Sequence, residues 1–178
     1  EYCFDCKKGR HVYDWGRSLW VHRSPVSDAV YQLKYQNKRI YGKTFAEEMA
    51  KEYGDFLKKQ KVDLLIPIPL HRFRRWKRGY NQAEILAEEL GKRTGIPVAK
   101  RLLIRSKRTT PQKELDNRLR RKNMDHAFQV KNQIMAKKVV LIDDIYTTGS
   151  TIDEAARTLK HAGVQEVGFL TISIGQGY

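Results

Sequence analysis

The chain has 178 residues, of which 35 are Lys or Arg and 20 are Asp or Glu, so its formal net charge is +15. With 40% hydrophobic and 31% charged residues, it has enough apolar side chains for one folded domain, and a wholly disordered chain is excluded. No apolar run approaches the roughly 18 residues of a membrane helix, and no signal peptide opens the sequence, so we expect a cytoplasmic protein that does not insert into a membrane.

The first 60 residues predict one strand and two helices. A short strand is expected at residues 19–22. Ser27 is placed to cap a first helix, and Thr44 with Glu47 forms a capping box for a second. The apolar faces expected for these helices are Val26, Val30 and Leu33, and then Phe45, Met49, Tyr53 and Phe56.

The middle of the chain predicts a buried strand, a basic loop and another helix. Residues 63–69 form a continuous apolar run that ends in two prolines, which is typical of a buried parallel strand. A basic loop is expected at residues 71–79, followed by a helix and then a strand at residues 102–105. The apolar face of that helix is Ala83, Leu86, Ala87 and Leu90.

The last third predicts a polar excursion and then a strand, a helix and a strand. Residues 106–126 are low in apolar content and are expected to form a long mobile excursion. Residues 139–142 are the clearest strand, and a final strand is expected at about residues 167–174. The helix between them ends at Gly163, where a left-handed cap is expected. Alternating strands and helices predict an α/β fold with a mostly parallel central sheet flanked by helices.

The positive charge is concentrated in one part of the chain. Residues 71–122 contain 17 Lys and Arg against five Asp and Glu, which is +12 of the total +15. A surface this basic is typical of proteins that bind a nucleic acid backbone or a small phosphorylated ligand. The alternative is a basic face that is simply solvated.

The most specific motif follows the clearest strand. Asp143 and Asp144 come directly after it, and the Thr-, Gly- and Ser-rich residues 147–151 then lead into a helix. A loop that enters a helix N-terminus at the carboxyl end of a strand is an anion site. Two carboxylates beside a phosphate site are explained if the ligand also carries hydroxyl donors, so the motif predicts a ribose that bears a phosphate. Alternatively, Asp144 only caps a turn and the threonines start a helix.

This motif resembles the 5-phosphoribosyl 1-pyrophosphate (PRPP) site of type I phosphoribosyltransferases. The resemblance implies that Asp143 and Asp144 bind the ribose hydroxyls. It also implies that the 5′-phosphate is bound by Thr147, Thr148, Gly149, Ser150 and Thr151. In that family the pyrophosphate is held with Mg²⁺, for which the candidate segments are residues 68–81 and 106–125. In the 6-oxopurine enzymes an Asp occupies the position of Thr147, so transfer to hypoxanthine or guanine is disfavoured.

More narrowly, the chain is similar to the ComF family of competence-related proteins. The similarity rests on ordered motifs from about residue 19 onwards: Leu33-Lys34-Tyr35, Ile66-Pro67-Ile68-Pro69-Leu70, Arg78-Gly79-Tyr80-Asn81-Gln82-Ala83, then Gln112, Arg118 and Asn123, and finally residues 143–151. It implies a type I phosphoribosyltransferase-like fold, a PRPP or ribose phosphate ligand, and a link to DNA uptake and its machinery. The pyrophosphate-binding candidates are Lys34, Arg78 and Arg118.

Two functions remain open at this point. The first is an enzyme that transfers phosphoribose to an unknown acceptor and releases pyrophosphate. The second is a single-stranded DNA-binding protein in which the PRPP site is a sensor or is vestigial. The nucleic-acid-binding candidates are Arg72, Arg74, Arg75, Trp76 and Lys77. The alternative is that Phe73, Trp76 and Tyr80 pack this segment onto the domain.

The N-terminal segment contains a weak metal motif. We expect residues 1–17 to be the remnant of a zinc-ribbon-like segment and residues 18–178 to form the phosphoribosyltransferase-like domain. Cys3 and Cys6 have the spacing of half a zinc site, whereas a closed structural site needs four ligands. Either an upstream pair is missing or the site has been lost, so Zn²⁺ is expected only with missing upstream ligands. His11 and His22 are weaker candidates.

Overall fold

The computed structural model describes residues 11–105 and 127–175, and these contain six strands and five helices. The strands are β1 (Trp15–Val21), β2 (Leu64–Pro67), β3 (Leu103–Arg105), β4 (Phe128–Val130), β5 (Lys138–Tyr146) and β6 (Glu166–Ile174). The helices are α1 (Val26–Tyr35), α2 (Ile40–Lys59), α3 (Arg72–Arg78), α4 (Gln82–Thr94) and α5 (Ser150–His161). None of these described helices is long and apolar enough to cross a membrane.

The central sheet has four strands in the order β1-β6-β5-β2, and all of its strand pairs are parallel. Both of its faces are buried, which explains why the strands are continuous apolar runs. Along β5, Val139 and Leu141 join the core on one face, whereas Val140 and Ile142 join the core on the other. This alternation follows from the two-residue period of a strand.

Helices cover the two faces of the sheet unequally. Helix α5 packs on one face through Ile152, Ala155 and Leu159. Helices α1, α2 and α4 pack on the other face. Their buried side chains are Val30 and Leu33 from α1, Phe45, Met49 and Leu57 from α2, and Leu86, Ala87 and Leu90 from α4. The predicted α/β fold with a parallel sheet flanked by helices is confirmed.

A second, two-stranded sheet brackets the predicted excursion. Strands β3 and β4 pair antiparallel, with Leu103 opposite Val130 and Arg105 opposite Phe128. The two strands therefore bring residues 105 and 128 together. The excursion itself, residues 106–126, lies outside the described residues, as does Arg118.

Two predicted helix starts and one strand boundary differ from the structure. Helix α2 begins at Ile40, so Thr44 lies inside it, where its hydroxyl donates to the carbonyl of Ile40 at 3.3 Å. Helix α1 begins at Val26 without a side-chain cap, so Ser27 lies within its first turn. Strand β1 begins at Trp15, earlier than predicted, because its pairing with β6 starts there. The first residues of β1 thus belong to residues 1–17, which were predicted to be a zinc-ribbon-like remnant. The division of the chain into these two segments remains a prediction.

The predicted basic loop at residues 71–79 is wrong, because residues 72–78 form helix α3. The ring of His71 accepts a hydrogen bond from the N–H of Phe73 at 3.3 Å, which caps the first turn. Gly79 ends the helix at a φ of 80°, a left-handed conformation that glycine adopts without strain. Helix α3 buries no residue, so the sequence offered no apolar period from which to predict it.

The C-terminal strand, helix and strand are close to their predicted positions. Strand β5 runs on to Tyr146, so the acidic pair lies within the strand rather than after it. The turn before helix α5 is therefore residues 147–149. Gly163 follows the helix with a φ of 101°, as its predicted capping role requires.

Candidate functional site

A cavity of about 660 Å³ opens at the carboxyl ends of β2 and β5. After β5 the chain continues into α5 on one face of the sheet, and after β2 it continues through α3 into α4 on the other face. The crevice between strands whose helices lie on opposite faces is where open α/β sheets bind ligands. The lining includes residues from α1, α3 and β3 as well as from these strands.

The acidic pair lies side by side in this cavity and is held by named partners. The N–H of Asp144 donates to Oδ1 of Asp143 at 2.8 Å. Oδ2 of Asp144 accepts from Nζ of Lys34 at 2.7 Å and from Nε2 of Gln82 at 3.0 Å. The side chain of Asp144, which is only 4% exposed, is therefore held by one residue of α1 and one of α4.

The surroundings of Asp143 disfavour its charged form. Burial, followed by the negative charge of Asp144, raises the pKa of Asp143 above its ordinary value, and Lys34 opposes this shift only in part. A hydroxyl donor or a cation at this carboxyl would stabilise its charged form. The pair therefore favours a ligand that brings such groups.

We call residues 147–151 the phosphate turn. Gly149 adopts a φ of 71° at the N-cap of α5, where an added Cβ would lie 2.6 Å from the hydroxyl oxygen of Tyr146. The N–H of Asp153 donates to the Gly149 carbonyl at 2.8 Å. The backbone N–H groups that precede Asp153 therefore lie in the first turn of α5, where the helix provides no carbonyl to accept from them. Together with the Thr148 and Ser150 hydroxyls, 3.0 Å apart, they make an anion site.

The cavity is predominantly cationic. Among the described residues, its lining carries five Lys and Arg side chains against two carboxylates. The five cations are Lys34, Arg74, Lys77, Arg78 and Arg105. The guanidinium of Arg78 lies 5.1 Å from the ring centre of Tyr35 and donates to Oε1 of Gln82 at 2.5 Å. Gln82 therefore links Arg78 to the acidic pair.

The structure brings most predicted site residues together. Asp143, Asp144, Thr147, Gly149, Ser150 and Thr151 line the cavity, as do Lys34, Arg78, Arg74 and Lys77. Thr148 adjoins them through Ser150. Lys34 forms an ion pair with the carboxylate of Asp144. Its contact with a pyrophosphate remains a prediction.

Sequence reasoning gave no role to Gln82 or Arg105. Gln82 begins a helix whose N-cap, Asn81, is also buried, and two buried polar residues at a helix start near a strand end were a usable signal. Arg105 ends strand β3 and packs against Phe128, 5.6 Å from its ring centre. Burial and then the charge of Arg74 lower its pKa to about 10, whereas Asp143 raises it.

The structure shows which of the aromatic residues in and just after α3 are buried. Trp76 is 80% exposed and contacts the ring of Phe73 at 6.2 Å between centres, so it is not a core residue. Tyr80 is buried, and its hydroxyl donates to the carbonyl of Leu33. Of Phe73, Trp76 and Tyr80, the three aromatics considered above as packing this segment onto the domain, only Tyr80 is buried.

The predicted metal residues are not assembled in the part of the chain described. Cys3 and Cys6 lie outside it. Nδ1 of His11 pairs with Oδ2 of Asp153 at 2.8 Å, and Nδ1 of His22 lies 2.8 Å from Oγ of Ser173. Over residues 11–105 and 127–175, no group of three or more His, Cys, Asp or Glu side chains could hold a metal ion.

Comparison with known proteins identifies the family. A model of the phosphoribosyl transferase domain matches residues 39–173, which is well over half of the chain. The chain is 32% identical over 173 residues to Competence protein F of Haemophilus influenzae, a match that covers 94% of this chain and 76% of that protein. The chain belongs to the ComF family. Its phosphoribosyltransferase-like domain and α/β fold are thereby established.

The chain is also similar to two further named proteins and to one solved structure. The chain is 32% identical over 163 residues to Competence protein ComFC of Streptococcus pneumoniae, covering 91% of this chain and 68% of that one. It is 28% identical over 158 residues to DNA utilization protein YhgH of Escherichia coli K12, covering 86% and 70%. Among solved structures, a purine phosphoribosyltransferase from Pyrococcus horikoshii matches with a TM-score of 0.48 and 16% identity, covering 73% and 72% of the two chains.

Proposed function

We propose that this ComF-family chain binds PRPP and transfers its phosphoribosyl group to an acceptor, with release of pyrophosphate. The observation that carries the proposal is the placement of Asp143 and Asp144 in one cavity with the phosphate turn. The carboxylates accept from ribose hydroxyls, and the turn donates to a phosphate. A ribose 5-phosphate carries both groups on one molecule. Its place of action is the cytoplasm.

The cationic lining suits the pyrophosphate group of PRPP. Five cations and two carboxylates leave the cavity positively charged before a ligand enters. Arg78 from α3 and Arg105 from β3 belong to this lining, and Asp144 is already compensated by Lys34. A ligand with phosphates at both ends of a ribose therefore balances the cavity's charge better than a single phosphate does.

Magnesium fits this site only together with the ligand. The described lining offers two carboxylates, and Lys34 covers one oxygen of Asp144. Mg²⁺ is usually bound by one or two carboxylates together with the phosphates of the ligand. We propose that the ligand's oxygens supply most of the coordination and that Asp143 is the nearest protein carboxylate. Bound in this way, Mg²⁺ would offset the negative charge of the pyrophosphate.

The proposed reaction is a displacement at C1 of the ribose. The bond from C1 to the pyrophosphate oxygen breaks, pyrophosphate leaves with the electron pair, and a bond from an acceptor nitrogen to C1 forms. The acidic pair and the phosphate turn fix the ribose at both ends, and the cations of α3 stabilise the charge that develops on the leaving group. The described lining contains no histidine, and we assign no general base.

Turnover is tested with labelled PRPP, Mg²⁺ and a panel of nitrogenous acceptors. We expect pyrophosphate release that depends on one acceptor. Hypoxanthine and guanine should be poor acceptors, because Thr147 stands where the 6-oxopurine enzymes have an acid. PRPP binding with no release across a broad panel would contradict transfer and support a non-catalytic sensor site.

A second candidate function, single-stranded DNA binding, rests on the exposure of Trp76. An 80% exposed tryptophan on a helix that also carries Arg72, Arg74 and Lys77 resembles the combination of stacking ring and cations that binds single strands. The relatives named as competence and DNA utilization proteins favour the same partner and a role with the DNA-uptake machinery.

Substitution of Trp76 by Ala separates stacking from packing. We expect oligonucleotide affinity to fall by about 1–3 kcal/mol, the range for one lost base stack. The melting temperature should stay unchanged because the side chain is exposed. The slope of log affinity against log salt concentration should also stay unchanged, because the side chain is uncharged. Met135→Ala is the matched control, since Met135 is an 84% exposed apolar residue outside the cavity lining. Equal affinity for Trp76→Ala and parent would contradict stacking.

A further inference from the structure

We infer that PRPP and a single DNA strand compete for this protein, because both need the side chains of Arg74 and Lys77. The inference rests on the proposed function and extends it to regulation of the same site. Ligand in the cavity would thereby control whether the protein holds a strand. Competition depends on which cations of α3 face the cavity and which are already neutralised.

Helix α3 has one side on the cavity and one side away from it. Phe73, Arg74, Lys77 and Arg78 line the cavity, a spacing of three and four residues that places them on one side of a helix. Arg72, Arg75 and Trp76 are absent from the lining. The exposed ring of Trp76 lies 6.2 Å, between ring centres, from that of Phe73, which lines the cavity. A strand stacked on Trp76 would therefore pass close to the cavity's cations.

Two of the helix's cations are already engaged. Arg75 binds both carboxylate oxygens of Glu84, at 2.6 and 3.0 Å. Arg78 is held by Gln82 and by the ring of Tyr35. Arg74 and Lys77, which we call the shared cations, make no hydrogen bond or ion pair with any other described residue. Arg72 is likewise unengaged within the described chain, but it lies outside the cavity.

The shared cations are therefore what both ligands require. A pyrophosphate in the cavity would bind Arg74 and Lys77, and so would strand phosphates that pass Trp76. With the cavity filled, a strand keeps only Arg72 among the unengaged cations of α3 and also meets the negative charge of the ligand. By linkage, a bound strand must weaken PRPP binding by the same factor.

The test is a fluorescence anisotropy titration of a labelled single-stranded oligonucleotide with and without saturating Mg·PRPP. Ionic strength and free Mg²⁺ are held constant. We expect PRPP to weaken oligonucleotide binding about tenfold or more. At about 0.7 per phosphate contact, losing two contacts should make the slope of log affinity against log salt shallower by about 1.4. Ribose 5-phosphate, which lacks the pyrophosphate, should have much less effect.

A variant control and a parallel measurement distinguish the outcomes. In Asp143→Asn with Asp144→Asn, which should not bind PRPP, the oligonucleotide affinity should be the same with and without PRPP. Calorimetry on the same samples reports whether PRPP is bound. Unchanged oligonucleotide affinity on PRPP-saturated protein, or no oligonucleotide binding at low salt, would overturn the competition and leave the proposed function standing. Absence of PRPP binding in calorimetry would overturn both.

Discussion

Replacing Asp143 and Asp144 together with Asn is expected to abolish PRPP binding while the protein stays folded. Each carboxylate that bonds a ribose hydroxyl contributes about 1.5–3 kcal/mol as a charged acceptor, so losing both should weaken binding at least 100-fold. The fold should tolerate the change because Asn has nearly the same shape. The change also removes a buried charge and its repulsion from Asp144, which in that order raise the pKa of Asp143. Calorimetry with Mg·PRPP measures the affinity, and circular dichroism reports the fold.

A charge-matched variant controls for the change in net charge. Asp28→Asn with Asp55→Asn removes two exposed carboxylates, one on α1 and one on α2, neither of which lines the cavity. This variant should bind PRPP like the parent. If the Asp143 and Asp144 variant is folded and binds PRPP with unchanged affinity, the acidic pair does not hold the ribose.

Gly149→Ala is expected to damage both the phosphate turn and stability. The left-handed φ of 71° costs a non-glycine residue about 1–2 kcal/mol, and the new Cβ would lie 2.6 Å from the Tyr146 hydroxyl oxygen, which is bonded to Tyr13 at 2.8 Å. The turn must shift to relieve this contact, which moves the N–H groups at the start of α5. We expect at least a tenfold loss of PRPP affinity and a free energy of unfolding lower by about 1–3 kcal/mol, measured by calorimetry and urea denaturation.

Gly163→Ala is the matched control for this glycine. Gly163 also has a positive φ, 101°, beyond the other end of α5, but nothing lies within 4 Å of its added Cβ. The substitution should lower stability by about 1–2 kcal/mol and leave PRPP affinity unchanged. Parental PRPP affinity in Gly149→Ala would mean that the phosphate does not approach this turn closely.

The sheet and the acidic pair were predictable from local sequence. The apolar run of β5 and the amphipathic helix α5 are strong signals. A strand that is buried on both faces is a continuous apolar run, whereas a helix that is buried on one face has apolar residues every three or four positions. The pair Asp143 and Asp144 stood out because two charged residues directly follow the apolar run at residues 139–142. Order along the chain was enough to place them at the carboxyl end of the sheet.

The interactions that complete the site were not predictable in this way. The bond from Gln82 to Asp144 joins residues 62 positions apart, and the ion pair of Lys34 with Asp144 crosses from α1 to β5. Helix α3 has no buried residue, and the interactions that support it include its two caps and the ion pair of Arg75 with Glu84. The start of α2 was misplaced because Thr44 bonds back to Ile40 inside the helix instead of capping it.

The most direct test of the ribose-phosphate site is a crystal structure of the protein with Mg·PRPP. We expect the ribose hydroxyls at about 2.6–3.2 Å from the carboxylate oxygens of Asp143 and Asp144. The 5′-phosphate should lie on the N–H and hydroxyl groups of residues 147–151, and the pyrophosphate should face Arg78 and the shared cations. A ligand bound outside this cavity, or one whose ribose hydroxyls do not contact the acidic pair, would contradict the account.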